Sequence, residues 1–195
     1  MLDITRRLGI RTGRAVAPAG LVSIVAGAVV FVFPPHSVLA AIALGLAGIA
    51  AFALGAARRA GGRWWALVAG GAAAALLFAA LSVAGRGIAL RAFGDSETCT
   101  VTDRAEVETG VRYHHSGFVH TLACPHAGAL TIRTDPGDRQ VAGSTVTILD
   151  DPGRLLEPDF AGRHSLLLEV PAVLGAIALT AATGWLVRRP VRSAN

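Results

Sequence analysis

The stretch Arg86–Ser165, RGIALRAFGDSETCTVTDRAEVETGVRYHHSGFVHTLACPHAGALTIRTDPGDRQVAGSTVTILDDPGRLLEPDFAGRHS, sets the architecture, because its composition differs from everything around it. Both cysteines, five of the six histidines and eleven of the thirteen acidic residues fall inside it. Its eight arginines against eleven acids leave a net charge of −3. The segments 1–14, 58–63 and 188–195 carry the other ten arginines and one acid, Asp3, and the chain has no lysine. A nucleic-acid binder would gather its cations on the polar domain, since neutralising phosphates drives that affinity. This chain does the reverse, so no nucleic-acid partner is expected. The formal charge of +5 is better read as a record of membrane orientation.

On either side of the polar stretch the sequence is apolar. The whole chain is 53% hydrophobic and 16% charged, against roughly 25% charged in soluble domains. A helix needs about 20 apolar residues to cross a bilayer core. Four runs meet that length: 15–33, 38–57, 64–84 and 166–187. The first could also be a secretory signal peptide ending at Val38-Leu39-Ala40, but its 19 uncharged residues exceed the usual apolar core of about 7–15, so an uncleaved anchor is expected. Pro34-Pro35 separates the first two runs, since consecutive prolines cannot continue a helical ladder. Trp64, Trp65 and Trp185 stand at run ends, where indoles favour the headgroup boundary.

Cytoplasmic loops collect Arg and Lys. Arg6, Arg7, Arg11 and Arg14 precede the first run, Arg58, Arg59 and Arg63 follow the second, and Arg188, Arg189 and Arg192 follow the fourth, while the 34–37 loop has none. The pattern predicts four transmembrane helices in a cell membrane, both termini cytoplasmic, and residues 86–165 outside the cytoplasm. Small residues at four-residue spacing mark expected packing faces: Ala43, Ala47, Ala51 and Gly55 in the second helix, Gly70 and Ala74 (with Gly71 and Ala75 beside them) in the third, and Ala172, Ala176, Thr180 and Gly184 in the fourth. Glu169 is the only ionisable residue inside a run and sits near its outer end. A membrane interior so poor in charge argues against transport by the helices alone.

The polar stretch alternates in the β manner, as in Thr98–Thr102 and Thr145–Leu149. Strands are expected at 97–103, 105–113, 118–124, 129–134 and 140–149, with 86–95 as an amphipathic connector and turns at Ser116-Gly117, Asp135–Asp138 and Asp151–Gly153. The domain is predicted to be all-β, with irregular chain after Pro152. Cys99 and Cys124 would lie in an oxidising compartment, where disulfides persist, and a bridge is expected. The competing reading is a metal or redox site, since His114, His115, His120, Cys124 and His126 lie within thirteen residues and could converge on zinc or copper. Ser116, Ser144 and Ser165 lack the G-x-S-x-G context of a nucleophile elbow. The Asp135/Asp138 and Asp150/Asp151 pairs sit beside Pro-Gly, where turn chemistry explains them.

The run from Val141 to Ile148, followed by Asp150-Asp151-Pro152-Gly153, resembles the G-x-x-V-x-V-x-x-D-P ending of small outer domains in bacterial, notably actinobacterial, membrane proteins of unknown function. The resemblance implies a short extracytoplasmic β domain between membrane helices and brings no activity with it. An extra Asp stands here where those proteins more often have an aromatic residue. The expectation is a non-enzymatic, cofactor-free membrane protein. Its surroundings are the lipid bilayer, and its β domain would bind a protein partner or a second copy. The alternatives are metal or redox handling by the histidines and an accessory role in a larger membrane assembly.

Overall fold

The computed structural model describes residues 2–109, 115–153 and 155–187. His114, Arg188, Arg189 and Arg192 lie outside the described residues, as do the side chains of Arg6, Arg7, Arg11 and His115. The chain divides into two compact units, Met1–Arg86 with Leu166–Asn195, and Gly87–Ser165.

The first unit is helical. Helices α1 (Leu2–Val32), α2 (Val38–Arg59), α3 (Trp64–Phe93) and α4 (Leu166–Leu186) each contain a segment long and apolar enough to cross a membrane. Val22, Leu39, Leu46, Val83, Leu167 and Leu168 turn outward with more than 60% of their surface exposed, as suits a solvent of hydrocarbon. Ser37 caps α2 by accepting from the Ala40 N–H. Helix α3 continues through the residues expected to form a connector, because Ile88–Phe93 contains no breaker. It ends at Gly94, where a Cβ would lie 2.5 Å from the Leu90 carbonyl oxygen.

Helices α1 and α2 form a hairpin whose backbones nearly touch. Gly13, Gly20 and Gly27 recur every seven residues in α1 and meet the Gly45, Gly48 and Gly55 side of α2. A Cβ on Gly20 would be 2.7 Å from the Gly48 oxygen, and one on Gly48 would be 2.7 Å from the Gly20 oxygen. Such small-residue seams let helices associate by van der Waals contact where no hydrophobic drive exists between them. The Ser23 hydroxyl adds an interhelical bond to the Leu44 oxygen at 2.8 Å. The packing face of α2 is therefore Ala41, Gly45, Gly48, Phe52 and Ala56, not the row expected from Ala43, Ala47 and Ala51. Ala43 and Ala47 are exposed, and only Gly55 of that row is buried. In α3 the expected Gly70 and Ala74 are buried. In α4 Ala176 and Thr180 are buried but Ala172 is exposed. Thr180 donates to the oxygens of Ala73 and Ala176, at 3.3 and 2.8 Å.

The second unit is an antiparallel five-stranded sheet in the order β3-β2-β1-β4-β5, with β1 Asp95–Thr109, β2 His115–Cys124, β3 Gly128–Thr134, β4 Thr145–Asp150 and β5 Asp159–Phe160. The two strands expected at 97–103 and 105–113 are one as far as Thr109, kept continuous by a bulge, and 110–113 lie outside the described residues. Val101 opposes Leu122 and Asp103 opposes Thr121, so Thr102 is the extra residue. Two-for-one pairing flips the side-chain alternation. Cys99 and Val101 face inward before the bulge, whereas Arg104 faces inward after it, opposite buried His120. The strand expected from Gln140 starts only at Thr145, because Gly143 turns the chain at φ 86°. The short β5 falls in the stretch expected to be irregular. Cys99, Val101, Leu122, Cys124, Ile132, Ile148 and Phe160 form the core. The sheet curls, since His120 of β2 meets Phe160 of β5 edge-on at 5.8 Å although β1 and β4 lie between them in the sheet.

The glycine seam carries a test. Gly48→Leu must push backbone against backbone and should destabilise the protein in detergent by about 1–3 kcal/mol or more. Ala47→Leu, on the exposed face, should stay within about 0.5 kcal/mol. Thermal unfolding of the two variants distinguishes this seam from the Ala43/Ala47/Ala51 row.

Candidate functional sites

In the β domain the polar side chains hold loops and edges. Cys99 and Cys124 stand one residue beyond the Thr100–Ala123 pair of β1 and β2, with Cα atoms 4.4 Å apart and sulfurs 1.99 Å apart, at bonding distance. Both are buried in the core. Glu97 caps the β2–β3 turn. Its carboxylate accepts from the N–H groups of His126 and Ala127 and from Nδ1 of His126 at 3.0 Å. These donors, the His126 N–H foremost, hold its pKa below the ordinary glutamate value. Asp151 gathers the chain after β4, accepting from the N–H groups of Gly153, Leu155 and Leu156 at 2.9–3.1 Å. This is the turn role expected for the Asp151-Pro152-Gly153 segment.

Arg163 clasps the two ends of the curl. Its guanidinium reaches Asp138 and Asp135 in the turn after β3, and Asp159 at the start of β5, 3.3 Å away. His164 Nε2 lies 3.3 Å from the other Asp159 oxygen. Arg91, in the last turns of α3, donates to the carbonyls of Ala161 and His164. The start and the end of this unit are thus tied together.

The sequence grouped four histidines as possible metal ligands. His120 is fully buried. Its Nε2 accepts the Gln140 N–H at 3.1 Å, which requires a lone pair and so a neutral ring, and Thr134 Oγ1 lies 3.5 Å from Nδ1. Burial, helped by the nearby Arg104 charge, lowers its pKa below the usual histidine range. His126 is 92% exposed on the turn against Glu97. Among the described residues the three-donor group close enough to share an ion is Glu97, Cys99 and Cys124. Two of those donors are bonded to each other, and none is a histidine.

The helical unit contains a cavity of about 690 Å³ lined by all four helices. Its walls are apolar, with Leu21 and Val25 of α1, Phe52 of α2, Leu77 and Leu81 of α3 and Ile177 of α4. Arg14, Arg59 and Trp185 line one end. The arrangement starts at Pro18, also in the lining. A proline has no N–H for the carbonyl four residues back, which here is Arg14. Arg59 supplies the missing donor, Nη2 to the Arg14 oxygen at 3.0 Å and Nε to the Gly13 oxygen at 3.1 Å. Sequence reading took Arg14 and Arg59 as orientation signals only. The missed clue was Pro18, one helical turn after Arg14 and inside an apolar run. No protein-family model, curated protein or solved structure matches this chain.

Two outcomes follow for the β domain. Replacing Cys99 and Cys124 with Ala should cost about 3 kcal/mol, the chain-entropy value for a loop of this size, seen as faster hydrogen exchange of β1 and β2 amides. The second concerns pH. His120 has a folded pKa below its unfolded value of 6.5, so the unfolded state binds more protons. Its stabilising effect is complete above pH 6.5 and is lost as pH falls below it. Hydrogen exchange of the same amides should accelerate, after correction for intrinsic rates, between pH 7 and pH 5. His120→Gln, which keeps an acceptor for the Gln140 N–H, should flatten that dependence.

Proposed function

We propose that this chain is a non-enzymatic multi-pass protein of the cell membrane whose 86–165 domain stands outside the cytoplasm. There the domain binds a protein partner, in the envelope or in a larger membrane assembly. The orientation is read from the arginine clusters at 1–14, 58–63 and 188–195, which the positive-inside rule assigns to the cytoplasm. A buried cystine is consistent with an oxidising compartment.

The division of labour in the β domain carries the binding reading. Its inward and loop polar groups, Glu97, His120, Asp151 and Arg163, are engaged in holding the fold. Its outward sheet face presents Thr98, Thr100, Thr102, Thr131, Thr145 and Thr147, all exposed. Among the described residues strand β3 pairs with β2 alone, and an edge of that kind accepts an added strand from a partner. A lobe with a threonine-rich outer face and an edge strand able to take an added strand suits recognition better than chemistry.

Protease added to sealed cells should cut within 86–165 and leave the arginine-rich segments intact; cleavage that appears only after lysis overturns the orientation. Affinity purification in mild detergent should yield a stoichiometric partner that is lost with Thr131→Glu, while the Cys99–Cys124 bridge and β-domain hydrogen exchange stay unchanged. Recovery of the same partner with the variant would reject the sheet as the binding surface.

A further inference from the structure

We propose that the cavity among α1–α4 holds one acyl chain of an anionic phospholipid of the cytoplasmic leaflet, with the lipid phosphate at Arg14 and Arg59. Only the choice of leaflet rests on the orientation proposed above.

The first support is shape. The volume of about 690 Å³ falls within the roughly 300–1,000 Å³ of small-molecule pockets. Along α1 the lining runs from Arg14 to Val25, about 16 Å at 1.5 Å per residue. That is one half of a hydrocarbon core about 30 Å thick, the depth to which a single leaflet's chains reach.

The second support is charge. Among the described lining residues the formal charges, Arg14 and Arg59, are both positive and none is an acid, and the Arg59–Arg14 hydrogen bond puts them at the same end of a mostly apolar wall. Thr180, the hydroxyl in the lining, is engaged with the carbonyls of Ala73 and Ala176. Basic pockets between transmembrane helices on the cytoplasmic side recruit anionic headgroups. Arg59 is held in place by the Gly13 and Arg14 carbonyls before any ligand arrives, so little side-chain freedom is lost on binding. A zwitterionic lipid would bring its own cation to the same end. A free phosphate would leave the apolar walls without contacts.

Trp185 stands at the charged end and reports occupancy. With Trp64 and Trp65 replaced by Phe it is the chain's remaining tryptophan, since the protein has three. The full-length protein would be placed in nanodiscs containing either phosphatidylglycerol or phosphatidylcholine brominated on the acyl chains, at equal mole fraction. Quenching of Trp185 should be at least twofold greater with the anionic lipid. Arg14→Gln should remove at least half of that preference, with helix content unchanged. This variant carries the test because Arg59→Gln would also strip the Gly13 and Arg14 carbonyls of their donor. Ala181→Leu, which fills the cavity from α4, should reduce quenching by both lipids. Equal quenching by the two lipids, a preference that survives Arg14→Gln, or loss of the preference on adding inorganic phosphate would each overturn the proposal. Nanodiscs present both leaflets alike, so a wrong orientation leaves these results unchanged and shows only in the protease experiment.

Discussion

The approach of α1 to α2 at van der Waals distance between backbones underlies the rest of the helical unit. Gly20 and Gly48 occupy positions where any Cβ would strike the opposite main chain. This closeness lets Ser23 reach the Leu44 carbonyl and brings Arg59 over Gly13 and Arg14. It also meets the demand that an apolar medium makes on a proline-containing helix. Every freed backbone carbonyl needs a donor from within the protein, and the end of α2 supplies one to α1.

The same accounting of polar groups explains the β domain. A lobe of under 80 residues buries too little apolar surface to rely on its core alone. Cross-links take up the deficit: the cystine between β1 and β2, carboxylates that gather loop amides, and the Arg163 clasp between the ends of the curled sheet. His120 belongs to this group. It looked like a ligand in sequence because histidines clustered around it. The bulge at Thr102 and the curl place it instead between Phe118 and Phe160, with its ring nitrogens turned to the Gln140 and Thr134 neighbours.

Legibility varied with the range of the interaction. The four apolar helices and the β character of the polar stretch could be read directly, because hydropathy and β-branched alternation act within a few residues of one another. The Asp151-Pro152-Gly153 turn was equally local. The merging of two expected strands into β1 was not, since a bulge is defined by what the neighbouring strand does. Nor was the packing face of α2. Several rows of small residues compete in an alanine-rich helix, and the seven-residue glycine period of α1 selects among them.

By itself the sequence determined how many segments can cross a bilayer, which loops carry the arginines, and that two cysteines sit in one β domain. These properties are sums over neighbouring residues, and solvation acts on them before any tertiary contact exists. The tertiary structure alone decided that Arg14, Arg59 and Pro18 share a cavity, that Arg163 joins the two ends of the sheet, and that His120 is core. Each of those outcomes joins residues from different elements, and their meeting depends on helix seams and sheet curvature that no single segment encodes.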